Sequence, residues 1–299
     1  MTLEASPLMK IRKGFMAALA ACLFSVNALC QTASPADTLG DASLTEKPRF
    51  QVSALRMDDP ADSTGSSPAA ASDHGPEHGF LGRTVRRGLQ DQKELYLAPF
   101  KPSNLKWDAL LLAGTGALLA TDRRIENQLP GPPYQRYQNI SNITIGGLSA
   151  SLAGLLIYGF KADNPHARET GLLELETLTN TFLVYAPMQF IAGRQRPGEG
   201  NGNGDFWRHH SLNTSFPGGH AMFTWSMATV VAREYPKTWV RILAYGAAGT
   251  VTVSRFMAHD HWASDMLVGS ALGFAIGTHI FHSHCEPGLS PSCHHHSKD

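Results

Sequence analysis

The stretch SRFMAHDHWASD, Ser254–Asp265, links two apolar runs and carries polar residues at helical intervals. His261 and Asp265 stand four apart where the second run begins, so on a helix they share one face, one turn apart. Two upstream fragments belong with it: GRQRP, ending at Arg196-Pro197, and SFPGGH, ending at His220. Around these fragments lie six apolar segments, near 107–121, 140–160, 171–192, 220–233, 238–254 and 265–281. They are rich in Ala, Leu and Gly and too long for strands, so they read as helices. Breaks fall at LPGPP (129–133), at Asn164-Pro165, through the glycine-rich 198–204 and at Tyr235-Pro236. The expected fold is all-α, a helical bundle of about six core helices with the polar fragments at helix ends and in the longer loops.

The rest of the chain frames this domain, expected at 107–282. Residues 1–30 read as an export signal: Lys10, Arg12 and Lys13 precede the apolar GFMAALAACLFSVNAL, and Ala28 and Cys30 hold the small-residue places before Gln31. An uncleaved anchor is the alternative, and a lipoprotein signal fits less well because of Asn27. Residues 31–80 are small, polar and poor in aromatics, the composition of a disordered linker. Residues 81–106 are mixed, an amphipathic lead-in that lies on the main domain or on a membrane surface. Residues 283–299 form a histidine-rich polar tail, in which Cys285 and Cys293 suit a small disulfide loop in an exported protein.

With 25 basic against 25 acidic side chains, the chain lacks the basic excess that nucleic-acid binding requires. A membrane is harder to place. Segment 140–160 is long enough to span, but 109–120 is short, 171–192 carries Glu174 and Glu176, and 238–254 carries Arg241. After a cleaved signal, six crossings put loop 194–219 in the cytoplasm. Arg233, Lys237 and Arg241 between the fourth and fifth segments point the other way under the positive-inside rule. A soluble or peripheral bundle outside the cytoplasm removes the conflict, as does an N-terminus that is not handled as a signal.

Arg196, His220, Arg255, His261 and Asp265 suit metal-free chemistry on a phosphate ester. The arginines offer cations for the oxyanions, one imidazole a nucleophile, the carboxylate its orientation, and the second imidazole an acid. The three blocks resemble the type 2 phosphatidic acid phosphatase / vanadium haloperoxidase superfamily. Its pattern is Lys, six residues, Arg-Pro; then Pro-Ser-Gly-His; then Ser-Arg, five residues, His, three residues, Asp. Arg196-Pro197, Pro217-Gly218-Gly219-His220, and Ser254, Arg255, His261 and Asp265 fill these places, over a resemblance that covers roughly 105–282.

The resemblance implies an acid phosphatase/haloperoxidase-like bundle that uses no cofactor and no metal. Asp265 is expected to accept the Nδ1–H of His261, freeing Nε2 to attack phosphorus and form a phosphohistidine. His220 is expected to protonate the leaving alkoxide and then activate water. Arg196, Arg255, Ser254 and the amides of Gly218 and Gly219 are expected to hold the phosphate oxygens.

Two positions depart from the pattern. Gln189 stands at the family's lysine and Gly218 at its serine, which predicts a slower enzyme if Gln189 donates only a neutral hydrogen bond and Gly218 only its N–H. Arg194 is a candidate to offset the lost charge, with a solvated loop arginine as the alternative. The implied partners are a phosphorylated lipid or small phosphate ester and a membrane, integrally or peripherally, with the site facing the periplasm. A degenerate member that binds phosphorylated lipid without turnover, and a vanadate-dependent haloperoxidase, are the competing readings.

Overall fold

The computed structural model describes residues 80–293; the expected signal, the linker up to residue 79 and tail residues 294–299 lie outside the described residues. Seven α-helices follow one another: α1 (Phe80–Leu97), α2 (Leu105–Glu126), α3 (Gln135–Lys161), α4 (Pro165–Ala192), α5 (Gly219–Glu234), α6 (Thr238–Met257) and α7 (Ala263–His284). A 3-10 turn, Ala98–Phe100, closes α1, and no strand occurs among the described residues. Helices α2 to α7 are the six expected apolar segments, each a few residues longer.

Local chemistry sets several boundaries. Asn164 opens α4: its side chain accepts the Ala167 amide at 2.9 Å, and Pro165 takes a first-turn place where no N–H is needed. Asp265 does the same for α7 by accepting the Trp262 amide at 3.0 Å. The lead-in helix α1 docks on the bundle rather than standing apart: Gln92 Nε2 donates to Asn180 Oδ1 at 2.6 Å and Tyr96 Oη to the Leu183 carbonyl at 3.1 Å.

The centre is the α5–α7 contact, and glycine makes it close. A Cβ on Gly269, Gly273 or Gly277 would lie 2.4, 2.2 and 2.4 Å from the carbonyl oxygens of Gly218, Met222 and Ser226. The four-residue spacing puts all three glycines on one stripe of α7, so the backbones meet without side chains between them. Leu173, Val184, Met222, Val230, Ile276, Ile280 and Phe281 pack around this contact. Each such side chain contributes about 1.5–3 kcal/mol on burial.

The six helices of the bundle alternate in direction. The C-terminal ends of α2, α4 and α6 therefore meet the N-terminal ends of α3, α5 and α7 at one end, which holds the polar fragments. The outer faces are apolar: Leu112, Ile143, Trp239, Ile242 and Leu243 are among many exposed large side chains. By length and composition α3 and α7 could each cross a membrane, but nearly half of the α7 window is buried in the bundle, against 17% for α3.

Candidate active site

Loop 193–218 folds back over the polar end of the bundle and brings the three sequence fragments together. His220 is the second residue of α5, and His261 precedes α7 in the short loop after α6. Their rings lie 6.1 Å apart, centroid to centroid, near perpendicular.

His261 is 1% exposed. Its Nδ1 lies 2.7 Å from the backbone carbonyl of Ser215. A carbonyl only accepts, so the proton sits on Nδ1 and Nε2 keeps its lone pair. That Nε2 is sealed from solvent and has no hydrogen-bond partner among the described residues. Burial, and then the charges of Arg196, Arg255 and Arg194, hold the imidazole well below its ordinary pKa, so the ring stays neutral.

Asp265 does not bond His261 directly, contrary to the expectation from their spacing. Its Oδ2 accepts Ser215 Oγ at 2.5 Å and the Trp262 amide at 3.0 Å, while Oδ1 accepts Arg194 Nη1 at 2.6 Å. The carboxylate thus acts one step away: it fixes Ser215, and the Ser215 carbonyl fixes the ring. The reason is that Trp262 caps α7, which turns the carboxylate back onto the cap rather than towards the imidazole.

Arg194 is no substitute for the missing lysine. Its guanidinium is buried between Asp122 (2.8 Å) and Asp265 (2.6 Å), also bonds Ser264 Oγ and the Gly204 carbonyl, and lies against the Phe206 and Trp262 rings. Asp122 in turn accepts the Ser264 amide and hydroxyl, tying α2 to the start of α7.

Gln189 is also corrected. It is fully buried; its Nε2 donates to the Pro217 carbonyl at 2.9 Å, and its Oε1 accepts the Thr214 amide and hydroxyl, each at 2.7 Å. Both polar atoms of that amide are engaged in fastening residues 214–217 to α4, so its first part here is structural. The Gly218 N–H is likewise spent, on the Asp265 carbonyl at 3.0 Å. A Cβ at Gly218 would sit 2.9 Å from that same oxygen and 2.1 Å from Met266 Cε, so the serine of the family pattern does not fit here. Gly219 begins α5 beside it.

The two remaining arginines face the imidazoles. Arg196 Nη1 donates to the Asp260 carbonyl at 3.0 Å and Nη2 to Asn213 Oδ1 at 2.8 Å. Arg255 Nη1 donates to Asp260 Oδ2 at 2.8 Å, Nε to Ser141 Oγ at 2.9 Å and Nη2 to Asn142 Oδ1. Asp260 therefore positions both guanidiniums, one through its carbonyl and one through its carboxylate. Each arginine retains N–H donors beyond these bonds, three on Arg196 and two on Arg255, out of five apiece. Ser254 is buried on α6, and no polar contact among the described residues brings its hydroxyl to the others.

His259, Trp262, His209 and His210 behave as bland residues. His259 bonds Glu126 and the Pro130 carbonyl, Trp262 is buried and donates to the Gln195 carbonyl, and His210 meets the Phe190 carbonyl. Sequence reasoning missed Ser215, Asp122, Ser141 and Asn142, whose roles arise only when distant segments meet.

Two arginines, two imidazoles and a buried carboxylate network thus meet at one end of an all-α bundle. Residues 172–286 match the family model of the PAP2 superfamily. Over 65 residues the chain is 35% identical to the lipid A 1-phosphatase of Porphyromonas gingivalis, a match that takes in 21% of this chain and only 15% of that protein. It is also similar to the crystal structure of a transmembrane PAP2-type phosphatidylglycerolphosphate phosphatase from Bacillus subtilis. That match has 20% identity, covers 66% of this chain and 92% of the other, and has a TM-score of 0.38.

Proposed function

We propose that this protein is a phosphatase of the cell envelope that hydrolyses phosphate mono- or diphosphate esters carried on lipids, through a phosphohistidine on His261. The observation that carries the proposal is the state of that ring: Nδ1–H held by the Ser215 carbonyl, Nε2 unbonded, a second imidazole 6.1 Å away and two arginines alongside.

In the first step the Nε2 lone pair forms the P–N bond as the P–O bond to the alcohol breaks, and His220 delivers a proton to the leaving oxygen. Arg196 and Arg255 neutralise the charge that gathers on the non-bridging oxygens. In the second step water attacks phosphorus, His220 takes its proton, and the P–N bond breaks to return neutral His261 and inorganic phosphate. No metal enters either step. An opening motion has to admit the ester, because Nε2 is sealed in this arrangement.

Three features bear on location. The N-terminal signal and the Cys285–Cys293 disulfide at the C-terminal end of α7 both argue for an oxidising compartment. The site lies at the N-terminal end of the same helix, whose 22 residues extend about 33 Å, more than a bilayer core. Were α7 to cross the membrane, site and disulfide would lie on opposite sides. A bundle held wholly outside the cytoplasm, resting on the membrane through its exposed apolar faces, keeps signal, disulfide and outward-facing site together.

The departures at Gln189 and Gly218 no longer argue for a dead binding protein, since each has a packing role. The test is phosphate release from p-nitrophenyl phosphate, phosphatidate and an isoprenyl diphosphate, with chelator present and with or without vanadate. Release that vanadate inhibits and that His261→Ala abolishes is expected; undiminished release by His261→Ala would overturn the proposal.

A further inference from the structure

The end of the bundle opposite the candidate active site gathers a second set of chemically active groups. Asp91 of α1 is 3% exposed, and its Oδ1 lies 2.7 Å from His284 Nε2 and 3.6 Å from His279 Nε2, both on α7. Glu176 of α4 completes the group, with Oε1 3.7 Å from the same His284 nitrogen. One donor atom each from Asp91, Glu176 and His284 falls within 4.8 Å of the other two.

This is more than an ion-pair cluster, because one of its atoms is left over. Asp91 Oδ2, on a carboxylate that is 3% exposed, is sealed from solvent with no hydrogen-bond partner among the described residues, while His279 Nε2 reaches only Oδ1, at 3.6 Å. Buried polar atoms are bonded in the great majority of cases, so this oxygen calls for a partner that hydrogen bonding inside the bundle does not provide. A cation that accepts lone pairs from several groups at once meets that requirement.

We propose that Asp91, Glu176 and His284 form a three-residue binding site for a divalent transition metal of the zinc type. The chemistry of the donors selects the ion. Imidazole beside carboxylate suits Zn²⁺, whereas Ca²⁺ and Mg²⁺ take all-oxygen sets and Cu(I) takes sulfur. Tetrahedral ligands at about 2.0–2.1 Å from zinc stand about 3.4 Å apart, and the separations of 2.7 Å for Asp91–His284 and 3.7 Å for Glu176–His284 straddle that edge. Arg87 is the competitor: its Nε lies 2.8 Å from Glu176 Oε1, but its side chain is 44% exposed and free to swing away. The ion joins α1, α4 and α7, so it clamps the lead-in helix onto the bundle. The disulfide begins at the next residue, Cys285, and secures the chain as it leaves the site. Some nineteen residues of α7 separate His284 from Asp265, about 28 Å along the axis, so the clamp is remote from the phosphate chemistry.

The test uses the full chain with His294, His295 and His296 replaced by serine, so that a run of three histidines does not enter the reading. Zinc content and affinity are measured by titration with Zn²⁺ after chelation, together with the melting temperature. One zinc per chain and a higher Tm with zinc are expected. His284→Ala, and the milder Glu176→Gln should the first not fold, are expected to weaken zinc by more than about tenfold, the scale on which even an outer partner of a metal ligand acts. His261→Ala is expected to bind zinc unchanged. No stoichiometric zinc in the tail-substituted chain, or unaltered affinity in a folded His284→Ala or Glu176→Gln variant, overturns the proposal.

Discussion

The candidate site works through intermediaries that are invisible to motif spacing. His261 is oriented by a carbonyl, that carbonyl by the Ser215 hydroxyl on Asp265, and Asp265 by Arg194 and Asp122. The two departures from the family pattern belong to the same scaffold, which leads to a definite expectation for restoring them. Gly218→Ser places a side chain against Asp265 O and Met266 and is expected to cost about 1–3 kcal/mol. Gln189→Lys buries an ammonium where one amide bonds Thr214 and Pro217, and leaves those partners short of bonds at about 1–3 kcal/mol or more. Both variants should therefore lose stability in denaturant titration and release phosphate more slowly; a gain in rate with unchanged stability would show that Gln189 and Gly218 are simple losses. That the three fragments meet was legible, because Arg196, His220, Arg255 and His261 carry chemistry in their side chains and the structure brings their segments together. Their supports were not, since Ser215, Ser141 and Asn142 are ordinary polar residues until tertiary contact gives them a partner.

Helices were readable from apolar length and from Gly, Pro and Asn breaks, and the six expected segments recur as α2 to α7. Which helix is central was not readable, because α7 resembles a membrane span in composition and is distinguished only by the Gly269, Gly273 and Gly277 stripe that presses it onto α5. The end of α5 carries a consequence for pH. Glu234 is buried against His166 at 3.0 Å, and burial, followed by the nearby Glu169 charge, raises its pKa to about 8. A carboxyl whose pKa is raised on folding stabilises fully below its unfolded value, near 4.5, and that contribution disappears as pH rises through about 8. Tm should accordingly fall across this interval, and Glu234→Gln should flatten the fall. An identical slope in the two proteins would remove Glu234 from the account.

For the molecule as a whole, direction across the membrane and chemistry are linked by α7, which has the candidate site at one end and a disulfide at the other. A bundle outside the cytoplasm should be released from membranes by alkaline carbonate and should keep Cys285 and Cys293 oxidised in intact cells. Retention in the carbonate pellet, with the two thiols free, would instead mean a spanning bundle with that end in the cytoplasm. The central claim is narrower than location: phosphorus is transferred to His261. It is tested most directly by rapid acid-free quenching of the protein with a ³²P-labelled phosphate ester. The account predicts a label that is stable in base, lost in acid, mapped to the peptide containing His261 and absent from His261→Ala. Turnover of the same ester with no labelled protein at any time, or equal labelling of His261→Ala, would contradict it.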